Sequence, residues 1–125
     1  MTDAEMLDDA KRRFLEAKKD LEEIRSRMAN QDCPLEVGDR VSIVDGSRRY
    51  DGVVDHIGAA LSYEELVEPV LGLPVSWSAS GRRIKKGTGE LGSWTFAIQS
   101  DAEFRDGAWH LRKRGLEATL GLAET

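Results

Sequence analysis

The chain has 125 residues, 40% apolar and 33% charged, with a formal net charge of −5; this is the make-up of one globular domain, too short for two independent cores and too apolar for disorder throughout. No apolar run approaches the roughly 20 residues that cross a bilayer, the first residues lack the apolar centre of a secretory signal, and a single cysteine, Cys33, excludes an internal disulfide or a cysteine-built metal cage. A cytoplasmic protein without membrane contact is expected, and the acidic balance argues against a surface that is everywhere a nucleic-acid footprint.

The first element spans residues 1–32. Leu7, Ala10, Phe14, Ala17, Leu21, Ile24 and Met28 recur at steps of three and four, the spacing that keeps one stripe of a helix apolar, and no Gly or Pro interrupts them. Thr2 and Glu5 fit a capping box, in which a hydroxyl and a carboxylate satisfy the backbone N–H groups left free at the first turn. With Leu7, Phe14, Leu21 and Met28 at heptad position a, the e row is Lys11, Lys18 and Arg25 and the g row is Arg13, Asp20 and Arg27. A parallel self-pair sets Arg13 against Lys18 and Asp20 against Arg25, one repulsion and one attraction, while an antiparallel pair faces the basic e row with itself. These charges leave a homo-oligomer through the helix open without specifying it, and they suit an acidic partner or the chain's own body, over which Lys and Arg stems can lie. Asp8 with Arg12, Asp9 with Arg13, and Glu23 with Arg27 are helix-spaced pairs worth a few tenths of a kcal/mol each.

Pro34 ends the helix, because it lacks an N–H and biases Cys33 toward extended backbone. A period of two then begins: Val37-Gly38-Asp39 turns into a strand through Val44, Asp45-Gly46-Ser47 turns again, and Arg49 to Ile57 forms a second strand. Val37-Gly38-Asp39-Arg40-Val41, followed by Gly52-Val53-Val54-Asp55-His56-Ile57, resembles the opening hairpin of SH3-like small barrels of the KOW and Tudor-like kind. It departs from the KOW pattern in lacking that loop's second glycine and in carrying Asp45, Asp51 and Asp55 around it. The resemblance implies a small barrel over residues 35–114.

Ser62 and Glu65 form a second capping box, with Leu61 and Leu66 placed as a hydrophobic staple, so a short helix is expected near 62–68, inserted between strands and closed by Pro69. Glu64, Glu65 and Glu68 read as its solvated face. Leu73, Val75, Trp77 and Ala79 then alternate with polar residues as a strand, Ser80-Gly81 reads as a turn, and residues 82–92 read as a basic hairpin or loop. Trp94 to Ile98 is another strand. Asp106-Gly107 is a two-residue hairpin signal, with Trp109 and Leu111 facing inward and His110, Arg112 and Arg114 outward. Residues 115–125 are a tail. The fold class is therefore α+β: a long N-terminal helix followed by an SH3-like antiparallel β-barrel with a short inserted helix.

Catalytic patterns are lacking. His56 and His110 fall on separate strands, no Ser-His or Cys-His set has a third orienting group, and the Gly-rich 87–92 segment has no P-loop ending, so no enzyme, metal or cofactor is expected. Trp77, Trp94, Trp109, Phe96 and Phe104 alternate with polar residues, which assigns them to a core rather than to an aromatic cage. The function expected is a non-catalytic module that binds a partner protein, as adaptor, regulator or inhibitor, through Leu7, Phe14, Leu21, Ile24 and Met28 and the barrel surface. The alternative is nucleic-acid binding through the basic zone of Arg82, Arg83, Lys85, Lys86, Arg112, Lys113 and Arg114.

Overall fold

The computed structural model describes residues 1–112. Helix α1 runs over Asp3–Asp32 and begins as the capping box requires: the Thr2 hydroxyl accepts from the Glu5 N–H and the Glu5 carboxylate accepts from the Thr2 N–H. It stops where Cys33 turns extended ahead of Pro34. Five of the six strands follow the sequence signals closely in position: β1 (Arg40–Asp45), β2 (Arg48–Ala60), β4 (Leu91–Gln99), β5 (Glu103–Arg105) and β6 (Ala108–His110). Between β2 and β3 (Ser76–Ile84) lies the inserted helix α2 (Tyr63–Val67). The architecture is thus α+β, a long helix ahead of a mostly antiparallel sheet.

The strands form one sheet in the order β4-β3-β2-β1-β6-β5. All pairs are antiparallel except β1 with β6, which run parallel through Ile43 opposite Trp109 and Val44 opposite His110. The long β2 pairs β1 with its first half and β3 along most of its length, with a register shift between Val54 and His56. Such an extra residue bends a strand and increases its twist, which curls the sheet around its own inner face. There the core sits: Val41, Ile43, Val54, Ile57, Trp77, Ala79, Phe96, Ile98 and Trp109, closed at the helix end by Ala29 and Cys33.

One expectation is corrected here. Ser80-Gly81 is no turn, since both residues lie inside β3, which runs on through Arg82 and Arg83 to Ile84. The chain reverses later, where the Gly89 N–H donates to the Lys85 carbonyl. Glycine at 81 is required by packing instead of by turning: a Cβ there would stand 1.9 Å from the Val53 carbonyl oxygen. Along β6, Trp109 sits opposite the core residue Ile43, and His110, opposite Val44, lies on the other side of the sheet, half-buried there. At the hairpin tip Asp106 and Gly107 both take positive φ, as a type I′ turn demands.

Candidate functional site

The apolar stripe of α1 divides at about two-thirds of the helix. Residues 1–20 are exposed throughout, and the helix meets its own body only beyond them, against β2 and β3. The docking row is Leu21, Arg25 and Ala29, half-buried, half-buried and buried. At four-residue spacing this row slants across the helix, away from the a and d seam. Leu7 and Phe14 consequently remain 56% and 66% exposed, and Ile24 and Met28 are also exposed. At a 1.5 Å rise per residue, the free part of α1 is about 30 Å long. Of its flanking charges, Asp9 pairs with Arg13 at 3.3 Å.

Arg25, the last residue of the basic e row, forms a clamp with Glu65 that sequence spacing concealed. The two side chains are an ion pair, each 11% exposed. Glu65 also accepts from the Val70 N–H at 2.7 Å, so its carboxylate is committed to tertiary contacts. The inserted helix therefore has half a capping box, with the Ser62 hydroxyl accepting from the Glu65 N–H, and Glu65 is not part of a solvated face.

The Val70 N–H first, and the Arg25 guanidinium after it, hold the Glu65 carboxyl below the usual glutamate range. A carboxyl that titrates lower in the folded chain stabilises wherever glutamates are ionised, and that stabilisation fades as pH falls through its folded value. Acidification from neutral pH to about pH 3 should therefore lower the melting temperature of the wild-type chain more than that of Glu65→Gln. Parallel melting curves would refute the clamp.

The basic zone is divided by strand alternation. Arg83 lies opposite Gly52, and Gly52 opposite Val41, on the core side of the sheet. Arg82 lies opposite Val53 and Thr95 on the outer side. Arg40 shares that outer side and pairs with Asp51 at 3.1 Å, while the Ser42 hydroxyl donates to the same carboxylate at 2.8 Å. These two bonds, Ser42 first, hold Asp51 below the usual carboxylate range. Lys85 and Lys86 flank the turn beyond β3, and Arg112 is exposed past β6. Lys113, Arg114 and the tail 115–125 lie outside the described residues. Comparison of the chain with protein families, curated proteins and solved structures yields no match.

The sequence assignment of all five large aromatics to the core is corrected for two. Trp77, Trp109 and Phe96 are buried; Trp94 is 73% exposed on the edge strand β4, and Phe104 is 61% exposed on β5. Phe104 leans on Trp109 with ring centres 5.1 Å apart, and Trp109 meets Trp77 edge-on at 5.9 Å. Phe104 and Trp109 line an open groove of about 710 Å³ with Pro34, Leu35 and Val41. On the core side, at the other end of the inner face, the Arg83 guanidinium stacks over the Tyr50 ring at 3.9 Å and lies 5.8 Å from the Trp94 ring. Burial pushes the Tyr50 hydroxyl up against the opposing pull of Arg83, so this ring is neutral and offers its face to the cation. Sequence reasoning had not joined Arg48, Tyr50 and Trp94 to the basic zone. The available signal was alternation: Arg48 and Tyr50 share a face, as do Trp94 and Phe96.

Among the described residues, no group of three or more His, Cys, Asp or Glu side chains could hold a metal ion, and no helix is long and apolar enough to cross a membrane.

Proposed function

We propose that the protein is a non-catalytic binding module that serves as adaptor, regulator or inhibitor of a partner protein in the cytoplasm. The observation that carries this reading is the free two-thirds of α1, which presents Leu7, Ala10, Phe14 and Ala17 on one stripe, exposed and covered by none of the described residues. A helix offered this way is one half of a helix-in-groove or coiled-coil contact. Arg25 is already occupied by Glu65, which leaves Lys11 and Lys18 as the basic flank able to meet a partner's acidic side chains. The curled sheet, read as an SH3-like body, anchors the helix base, and its Phe104 and Trp109 groove offers a second contact surface.

Nucleic-acid binding spread across residues 82–86 and 112–114 draws less support, because Arg82 and Arg83 point to opposite sides of the sheet and cannot follow one backbone together.

Replacing Leu7 and Phe14 by Glu tests the proposal. If each buries fully in a partner groove at roughly 2 kcal/mol, the double variant loses roughly 4 kcal/mol, close to a thousandfold in affinity. Affinity capture from the native cell, run with wild type and variant side by side, should retain a partner only with wild type, while thermal melts of the two chains coincide. Equal capture by both would remove the helix from the function. Sedimentation across a concentration series distinguishes a foreign partner from a second copy of the chain.

A further inference from the structure

Arg48, Tyr50, Arg83, Lys85, Gly92 and Trp94 line an open notch of about 220 Å³ on the inner side of the sheet, beyond the buried core. An exposed indole alone calls for no explanation. Here, however, Trp94 stands beside three cations in a chain of net charge −5. None of Arg48, Arg83 and Lys85 is in an ion pair among the described residues. Arg83 is held in place from two directions, since its guanidinium carbon lies over the Tyr50 ring and its Nε–H donates to the Thr95 carbonyl at 3.2 Å. Gly92 keeps the floor low beside Lys85, whose Cγ lies 3.4 Å from where a Cβ would stand.

We infer that this notch binds one nucleotide unit, with the base stacked on Trp94 and the phosphate held by Arg48, Arg83 and Lys85. Three cations alone would accept any carboxylate; the exposed indole face beside them selects an anion that also carries a flat ring, and stacking of this kind tolerates any base. The volume is below the roughly 300 Å³ at which pockets begin to enclose a drug-sized ligand. The notch therefore takes one base and one phosphate, either as a free mononucleotide or as one residue of a single strand. A duplex, whose base faces are stacked on one another, does not present the required surface. This site is separate from the α1 stripe and does not depend on the partner-binding proposal.

The test titrates the full chain with adenosine monophosphate, a single-stranded oligoadenylate 12-mer, a duplex of equal length and polyglutamate. Tryptophan fluorescence reports binding to chains that keep Trp94; titration calorimetry for the mononucleotide and the anisotropy of end-labelled strands report it for every variant, including those without Trp94. Trp77 and Trp109 are buried, so quenching reports Trp94. Saturable quenching by the mononucleotide identifies a free nucleotide as the ligand, and quenching by the strand alone identifies single-stranded nucleic acid. In either case Trp94→Ala should weaken binding at least tenfold and Trp94→Phe should recover most of it. Arg83→Ala and Arg48→Ala should each weaken it severalfold, and for the strand each should reduce the salt slope by about 0.7. Arg82→Ala, on the opposite side, should stay within twofold, and Leu7→Glu with Phe14→Glu should leave nucleotide affinity unchanged. The inference is overturned if neither nucleotide form binds, if Trp94→Ala binds as tightly as the parent, or if polyglutamate or duplex displaces the nucleotide equally well.

Discussion

Gly81→Ala should be among the most destabilising single-methyl additions in this protein. Its Cβ would stand 1.9 Å from the Val53 carbonyl oxygen and 3.0 Å from the Phe96 ring. The first obstacle is backbone, and it cannot swing aside as a side chain would. Gly81 is paired on both sides, with Val54 of β2 and Phe96 of β4, so relief requires parting strands in the middle of the sheet. Overpacked cores lose about 1–3 kcal/mol and occasionally more; with backbone as the obstacle, about 3 kcal/mol or more is expected. Against a total stability on the order of 5–15 kcal/mol, that is a large share. In urea it corresponds to a midpoint lowered by roughly 1–3 M. Gly87→Ala is the control, since nothing lies within 4 Å of its Cβ position, and its midpoint should barely move. Equal midpoints for the two variants would show that the β2–β3 approach is looser than described.

Trp109→Ala should remove about 3–5 kcal/mol and loosen one side of the sheet selectively. The β5–β6 hairpin joins β1 through two parallel residue pairs and the Leu111 N–H, which donates to the Val44 carbonyl at 3.0 Å. So short a ladder is held chiefly by Trp109, buried between Trp77 and Phe104. Truncating the indole leaves a cavity under the hairpin and strips the wall of the groove formed with Leu35 and Val41. Amide hydrogen exchange should show the Leu111 N–H losing protection well before the amides that pair β2 with β3. Uniform loss across all strands would mean that the hairpin and the rest of the sheet unfold as one unit.

The helix and its limits were legible because their signals are local. Thr2 and Glu5 sit one turn apart, the apolar stripe repeats within the helix, and Pro34 stops it without help from distant residues. The Asp106-Gly107 hairpin was legible for the same reason, since positive φ at both positions is a demand of the turn itself. Gly81 was misread because a glycine in sequence marks either a turn or a close approach. Only the position of Val53, 28 residues earlier in the chain, distinguishes the two.

The candidate sites depended still more on distant residues. Periodicity placed Leu7, Phe14, Leu21, Ile24 and Met28 on one stripe, but the row that docks is Leu21, Arg25 and Ala29. It is chosen by where β2, β3 and Glu65 stand, and Glu65 is 40 residues from Arg25. Arg82 and Arg83 looked like one patch because they are adjacent, while the pleat of β3 sends them to opposite sides. What the sequence by itself determined is every feature enforced within a few residues: helix, caps, breaks, hairpin tip and the α+β class. What only the tertiary structure decided is which part of the apolar stripe is left uncovered and which cations meet Tyr50 and Trp94. Those outcomes depend on strand register, and register is set by long-range pairing that no short window of sequence contains.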